Sequence, residues 1–185
     1  MSVESDWLDS PNGRRLLQEE SAQVKRALES IFGDYLVQVG AWGPQGLFLE
    51  HARTRHKFLL SWKQSYFSDA LVCADLLGLA SDSVDAVLLP HVLEAVLDPI
   101  DILREVDRVL RPEGHMVVLG FSPASWWGLR HSISRSGYPP GISRHIPEHR
   151  LSDWLRLLNF RISYTARYYP AAEAGQSLVG QQKLA

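Results

Sequence analysis

The sequence has little of several features that would point to a specialised class of protein. It contains one cysteine, Cys73, so no intrachain disulfide can form. No apolar stretch approaches the roughly 20 residues that span a bilayer, and the first residues lack the apolar core of a signal peptide. The formal net charge is only −2, which provides no global attraction to nucleic acid. We therefore expect a cytoplasmic protein without membrane or nucleic-acid partners.

Several catalytic signatures are also missing. The seven histidines show no cysteine–histidine spacing typical of a metal site, so no metal site is predicted. Neither a G-x-S-x-G motif nor a P-loop occurs. Cys73 stands at the end of the apolar run 70–73, which favours a core residue over a nucleophile.

What is present is typical of one globular domain. Hydrophobic residues make up 45% and charged residues 22% of 185 residues. Apolar residues at helical spacing predict helices over 12–32, 98–110 and 148–158. Short apolar runs predict strands over 35–40, 56–62, 70–74, 84–89, 116–120 and 160–166. Residues 173–185 show no strong pattern, so we expect a C-terminal strand that is missing or remodelled.

The order of these elements predicts an α/β fold. Short strands that alternate with helices indicate parallel βαβ units, and hence a three-layer, Rossmann-like domain with a mostly parallel central sheet. Ligands of such sheets bind at the carboxyl ends of the strands. This rule places the turn 40–46, Trp62, Asp75 and the pair Pro90–His91 along one edge.

Three runs of residues resemble a known family. Residues 75–87 read D-L-L-G-L-A-S-D-S-V-D-A-V and residues 103–114 read L-R-E-V-D-R-V-L-R-P-E-G. They are similar to the class I S-adenosylmethionine (SAM)-dependent methyltransferases, specifically the methyltransferase type 11 group. Residues 120–130, G-F-S-P-A-S-W-W-G-L-R, resemble a bacterial subgroup of that family. The resemblance covers about 35–123 and implies the methyltransferase fold with SAM as cofactor.

The resemblance also implies a set of cofactor-binding residues. Asp75 matches the position whose carboxylate accepts a hydrogen bond from the adenine amino group. The alternative for Asp75 is a turn or helix-cap aspartate. The other residues implied to line the cofactor are Gly40, Trp42, Gly43, Trp62, Leu76 and Pro90.

His91 follows the fourth predicted strand, where this fold places groups that face the transferred methyl. A histidine titrates near neutrality and can accept a proton from a nucleophile, so His91 is the candidate catalytic base. The alternative is a partly exposed histidine at the start of a helix.

The first turn departs from the family's pattern. Active members usually read E/D-x-G-x-G-x-G there, whereas this sequence has Gln38 in place of the acid and Trp42 where the second glycine is expected. The acid that takes the ribose hydroxyls should lie near 61–63, and none is there. We therefore expect weak SAM binding, with the Trp42 indole either obstructing the turn or stacking on the adenine.

A basic and aromatic segment, 121–150, follows the fifth strand. Trp126, Trp127 and Arg130 in this segment are candidate substrate or lid residues for an anionic or aromatic acceptor. A solvated loop with two packed tryptophans is the alternative.

We expect the whole sequence, 1–185, to form a single domain. Its parts in chain order are an N-terminal helix (12–32), a core (35–120), the segment 121–150, and a C-terminal helix and strand (148–166).

Two functions remain open from the sequence. The first is methyl transfer from SAM to a small or medium-sized acceptor. The second is a catalytically inactive methyltransferase fold that serves as a ligand-sensing or protein-interaction module. Gln38, Trp42 and the missing acid favour the second function, whereas Asp75, Leu76 and the segment 121–150 favour the first.

Overall fold

A seven-stranded sheet forms the middle layer of the molecule. The structure is a computed structural model that describes residues 3–63, 65, 67–123, 139–168 and 176–183. The strands are β1 (Tyr35–Val39), β2 (His56–Ser61), β3 (Ala70–Leu71), β4 (Val84–Pro90), β5 (Leu110–Phe121), β6 (Phe160–Tyr168) and β7 (Gln176–Lys183). The helices are α1 (Val3–Leu8), α2 (Pro11–Leu28), α3 (Val92–Ala95), α4 (Pro99–Val109) and α5 (Glu148–Leu157).

The sheet is mostly parallel, as the sequence predicts. Its strand order is β3-β2-β1-β4-β5-β7-β6. The pairs β2–β3, β1–β2, β1–β4 and β4–β5 are parallel, and β7 runs antiparallel to both β5 and β6. The prediction of a mostly parallel central sheet is therefore confirmed.

The C-terminal strand is present, contrary to the expectation that it is missing or remodelled. Residues 176–182 of β7 pair with β5, from His115↔Gln182 to Phe121↔Gln176. Its other edge pairs with β6. Residues 176–183 carry no strong local pattern, so the position of this strand is fixed by pairing with two distant strands rather than by its own sequence.

Helices cover both faces of the sheet. Along β1, Leu36 faces the cluster formed with α2, whereas Val37 and Val39 face the cluster formed with α4 and α5. This alternation follows from the two-residue period of a strand, and burial on both faces is typical of a parallel sheet. The fold thus has three layers, with hydrophobic cores on the two sides of the sheet.

The long helices begin where their capping residues predict. The Ser10 side chain accepts a hydrogen bond from the Gly13 N–H, and Pro11 starts α2. Asp98 caps α4 in the same way and precedes Pro99. α2 ends at Leu28, four residues earlier than predicted.

Two strands differ in length from the prediction. β3 spans only two residues rather than 70–74, whereas β5 begins at Leu110 rather than at 116. A 3₁₀ turn, Leu49–His51, lies between β1 and β2. Within the described residues, no helix is both long and apolar enough to cross a membrane.

Candidate functional site

The ends of parallel strands bring the predicted site segments to one edge of the sheet. The Gly40 N–H, just after β1, donates to the Leu60 carbonyl of β2 at 2.7 Å. The Val72 N–H, just after β3, donates to the Ser61 carbonyl at 2.9 Å. Since neighbouring parallel strands end side by side, this edge carries the residues Gly40, Trp62, Asp75 and Pro90. Of these, Pro90 is buried as the last residue of β4.

The turn after β1 requires glycine where it passes Trp62. Gly40 has a φ of +91°, which disfavours other residues. A Cβ atom at Gly40 would lie 3.1 Å from the Trp62 ring and 3.1 Å from the Val92 side chain. Trp62 therefore packs directly on the backbone of the turn. Gly43, also predicted for the site, has a φ of +77° in the same turn.

The Trp42 side chain points into the core rather than toward the edge. Only 4% of Trp42 is exposed, and its indole Nε1–H donates to the Glu20 Oε2 atom at 2.9 Å. The expectation that Trp42 obstructs the turn or stacks on adenine thus differs from the structure. The reason is the buried Glu20 carboxylate, which provides the indole N–H with an acceptor inside the protein.

Two polar groups near the turn are used within the protein. The Gln38 amide, which stands where the family has an acid, donates from Nε2 to the Gly40 carbonyl at 2.9 Å. The Ser61 hydroxyl donates to the Lys63 carbonyl at 2.8 Å. Both side chains are buried. Neither is therefore directed toward a ligand, and the missing acid after β2 has no substitute at Ser61.

Asp75 and Leu76 stand exposed beyond β3. Leu76 is 63% exposed, and its N–H closes a tight turn on the Cys73 carbonyl at 3.0 Å. Among the residues that the structure describes, none makes a hydrogen bond or ion pair with the Asp75 carboxylate. An exposed acid beside an exposed apolar side chain fits a flat, amino-bearing ring such as adenine.

The expectation that Cys73 is a core residue is wrong. Cys73 is exposed, because β3 is an edge strand that ends at Leu71 and leaves the rest of the run 70–73 outside the sheet.

A buried cluster of two glutamates and one histidine lies behind this edge. His91 Nε2 is 2.7 Å from Glu20 Oε1, and His91 Nδ1 is 2.9 Å from Glu94 Oε2. The three side chains are no more than 2% exposed. The imidazole also stacks on the Phe121 ring, with 4.2 Å between centroids. Both ring nitrogens are therefore engaged by carboxylates.

The two neighbouring carboxylates determine the protonation state of His91. Burial alone lowers the pKa of His91, but the Glu20 and Glu94 carboxylates outweigh it and raise that pKa to about 9. Burial also raises the pKa of Glu94. At neutral pH, His91 thus carries protons on both nitrogens and has no lone pair to accept another. His91 stands at the start of α3, as the alternative expects, but it is buried rather than partly exposed.

Sequence reasoning missed the two glutamates, although one of them left a signal. Glu20 falls on the apolar stripe of α2, at four-residue spacing between Leu16 and Val24. A charged residue in such a stripe is buried with a partner. Glu94 lies three residues after His91 within a short helix, so only the folded structure identifies its partner.

Glu94 also forms hydrogen bonds with two residues of the segment 121–150. Its Oε1 atom accepts a hydrogen bond from the Phe121 N–H at 2.6 Å. Its carbonyl accepts the Ser143 N–H at 3.0 Å and the Ser143 hydroxyl at 2.7 Å. Phe121 and Ser143 therefore both lie next to the helix that His91 starts. The predicted acceptor residues Trp126, Trp127 and Arg130 lie outside the described residues.

Comparison with known proteins identifies the family. A family model described as "Methyltransferase domain" matches residues 47–118. YafS of Escherichia coli (strain K12) is 32% identical over 166 residues, which cover 88% of this chain and 68% of YafS. This chain is a class I SAM-dependent methyltransferase by family. The methyltransferase assignment agrees with the β3-β2-β1-β4-β5-β7-β6 sheet and with the resemblance of residues 75–87 and 103–114.

Solved structures share the methyltransferase fold at low sequence identity. A SAM-dependent methyltransferase from Thermotoga maritima has a TM-score of 0.73 at 19% identity. The match covers 92% of this chain and 89% of the Thermotoga protein. A SAM-dependent methyltransferase from Mesorhizobium loti has a TM-score of 0.66 at 15% identity. The match covers 90% of this chain and 100% of the Mesorhizobium protein. The [4+2]-cyclase SpnF has a TM-score of 0.68 at 18% identity, covering 93% and 81%. These similarities show the fold and leave the reaction to be argued from the site.

The described part of the methyltransferase holds no group of three or more residues arranged to bind a metal ion.

Proposed function

We propose that this methyltransferase transfers a methyl group from SAM to a small or medium-sized acceptor and that it binds SAM weakly. The observation that carries the proposal is the turn at Asp75 and Leu76. An acid without a partner among the described residues and an exposed leucine stand there at the carboxyl edge of a methyltransferase sheet. Family membership supports SAM as the cofactor, and this turn supports a site for its adenine.

The described residues fit the cofactor in part. The Asp75 carboxylate accepts from the adenine amino group, and Leu76 and the Trp62 ring provide apolar surface beside it. The glycine turn lets the rest of the cofactor approach the backbone at Gly40. The region after β2 fits less well, because the Ser61 hydroxyl is used internally and no acid receives the ribose hydroxyls.

The protein's chemical task is mainly alignment. When bound, SAM supplies an electrophilic sulfonium methyl that needs no further activation. The buried Glu20–His91–Glu94 cluster retains its proton and positions α3, and the Glu94 hydrogen bonds position Phe121 and Ser143 of the segment 121–150. Since His91 is protonated, we propose an acceptor that reacts without proton transfer to His91, so catalysis rests on proximity and orientation.

Weak SAM binding follows from the missing ribose contact. A charge-assisted hydrogen bond contributes about 1.5–3 kcal/mol, so its absence corresponds to about one to two decades in Kd. We therefore expect a Kd for SAM in the range from about 100 μM to 1 mM, if a complete site binds at about 10 μM.

Calorimetric titration with SAM and S-adenosylhomocysteine (SAH) tests the proposal. The expected result is saturable binding of both ligands, followed by transfer of label from methyl-labelled SAM to compounds in a panel of small anionic and aromatic acceptors. No binding at millimolar ligand contradicts the proposal and supports the alternative, an inactive protein-interaction module. Binding without transfer to any acceptor supports a ligand-sensing module. The polar groups used internally at Gln38 and Ser61 are the features that favour this alternative.

A further inference from the structure

Two side chains of α4, Glu105 and Arg108, form hydrogen bonds with the chain between β3 and β4. Glu105 Oε1 accepts a hydrogen bond from the Leu77 N–H at 2.9 Å. Arg108 Nη2 donates to the Leu79 carbonyl at 2.8 Å, and Arg108 Nη1 donates to the Ser81 Oγ atom at 3.0 Å. The chain from 77 to 81 is therefore held at three alternate residues by one pair of side chains.

The two side chains are themselves rigidly paired. Arg108 Nε donates to Glu105 Oε2, and Arg108 Nη2 donates to Glu105 Oε1, both at 2.7 Å. Such a bidentate pair fixes orientation as well as distance. Hydrogen bonding from Arg108 lowers the pKa of Glu105, so Glu105 is ionised at neutral pH. The carboxylate that receives the Leu77 N–H thus has one defined position.

The chain that these hydrogen bonds hold, 77–81, directly follows Asp75 and Leu76, the residues proposed to bind adenine. Because β3 spans only two residues, the sheet gives the chain from 72 to 76 little support. The turn there is closed by one backbone hydrogen bond, from the Leu76 N–H to Cys73. Leu77 is buried. Its N–H is the first backbone group after Asp75 and Leu76 that forms a hydrogen bond with a side chain.

We propose that Glu105 and Arg108 are positioning residues for the adenosine end of the cofactor. They act through the backbone of Leu77 and Leu79 to hold Asp75 and Leu76 at the edge of the sheet. This inference rests on the proposed function, because it takes the turn at Asp75 as the adenine site. It assigns to the pair a role in ligand affinity that goes beyond closing a loop.

The same helix offers a matched control. Arg104 Nη1 donates to Asp101 Oδ1 at 2.9 Å with the same three-residue spacing as the Glu105–Arg108 pair. No contact from this second pair to the 77–81 backbone occurs among the described residues. Asp101→Ala therefore removes an ion pair of the same spacing from α4, at a more exposed position, without releasing the chain beside Asp75.

Calorimetric titration of SAH against folded variants tests the inference. We expect Glu105→Ala to raise the Kd for SAH about tenfold, which corresponds to one lost hydrogen bond of a charged group. Glu105→Gln retains an acceptor for the Leu77 N–H and should show a smaller increase. Asp101→Ala should leave the Kd unchanged. If Glu105→Ala does not fold, Arg108→Ala, which removes the contacts to Leu79 and Ser81, should give a similar increase.

A double-mutant cycle with Asp75→Ala separates positioning from general destabilisation. If the pair acts through the turn, Glu105→Ala should add little to the Kd increase of Asp75→Ala, because both changes remove the same contact with the ligand. An equal Kd increase in both backgrounds, or wild-type SAH affinity in folded Glu105→Ala and Arg108→Ala, would overturn the inference. Failure of the wild-type chain to bind SAH overturns the proposed function as well.

Discussion

Among single residues, Asp75 combines an exposed carboxylate with the lack of any partner among the described residues. Its replacement should therefore affect a ligand much more than the fold. We expect Asp75→Ala to weaken SAH binding by about 1–2 kcal/mol, or about 5- to 30-fold. The free energy of unfolding should change by less than about 0.5 kcal/mol. Calorimetry and urea titration measure the two quantities.

Asp153 provides the control for this substitution, because it is another exposed aspartate, on α5. Asp153→Ala should leave SAH affinity unchanged. Equal effects of the two substitutions would argue for nonspecific electrostatics instead of an adenine contact.

His91 links the protonation of the buried cluster to stability. Its folded-state pKa of about 9 lies above the ordinary value of 6.5. The bound proton therefore stabilises the fold fully below pH 6.5, and this contribution disappears as the pH rises through 9. We expect the free energy of unfolding to fall by up to about 1.4 kcal/mol per pH unit in this range. Urea titrations at a series of pH values measure the slope.

His91→Asn separates this effect from other titrations. Asparagine tolerates the left-handed backbone at this position, where φ is +56°. It leaves Glu20 and Glu94 facing a neutral group, so the variant should lose about 3–5 kcal/mol at pH 7. Its profile should also lack the His91 slope above pH 6.5. A flat wild-type profile between pH 6.5 and 9 would mean that His91 is neutral when folded, and would restore it as a candidate base.

At the scale of elements, Asp85 joins the starts of β1, β4 and β5. Its Oδ2 atom accepts the N–H groups of Asp34 and Tyr35, both at 2.8 Å. Its Oδ1 atom accepts from Arg111 at 2.7 Å. Partial burial opposes the charge, but the hydrogen bonds from Tyr35, Arg111 and Asp34 outweigh it and lower the pKa of Asp85. One carboxylate thus fixes where three strands begin.

Stability should depend on this carboxylate at acid pH. Since the folded-state pKa lies below the ordinary value of 3.8, the Asp85 contribution is present above that value and is lost as the pH falls through the folded-state pKa. We expect Asp85→Asn to cost about 1–3 kcal/mol at pH 7. The difference from wild type should shrink below pH 3.8, as measured by urea titrations. A constant difference down to the lowest pH would show that charge at Asp85 contributes nothing.

The sequence predicts elements whose determinants are local. α4 has a capping aspartate, a proline at its first position and an apolar stripe, so its predicted bounds differ from the structure by one residue at each end. β7 was missed because its place depends on pairing with β5 and β6. Cys73 was misplaced because the length of β3 depends on its edge position.

The candidate site likewise has features that local sequence predicts and features that depend on distant residues. The edge of the sheet follows from strand order, and Asp75 follows from a motif. The direction of the Trp42 indole depends on Glu20, 22 residues earlier in the chain. The protonation of His91 depends on the same residue, 71 positions away. Neither relation is expressed in a local pattern, although the charge within the apolar stripe of α2 marks Glu20 as unusual.

At the scale of the whole molecule, β7 joins β6 to the rest of the sheet. Among the described residues, β6 pairs only with β7, which lies between β6 and β5 in the sheet. Removal of residues 176–185 should therefore leave β6 without its pairing and expose the edge of β5. We expect this truncated chain to lose cooperative unfolding, or to aggregate. Circular dichroism during urea unfolding and size-exclusion chromatography provide the measurements.

Removal of only the last two residues, 184 and 185, is the control, because it leaves all of β7 in place. This shorter truncation should unfold like the full chain. A cooperative, monomeric protein lacking 176–185 would contradict the structural role of β7.

The position of β7 also has a consequence for synthesis of the chain. The parallel strands β1 to β5 pair with one another within residues 35–121, so much of the sheet can assemble while the ribosome is still elongating the chain. β5 acquires its second neighbour only when residues 176–183 have emerged. Until then the nascent protein presents an open, apolar strand edge, which is the feature that chaperones shield and that promotes misassembly. β7 follows β6 closely in the chain but lies far from β5, so we expect its pairing with β5 to form after its pairing with β6.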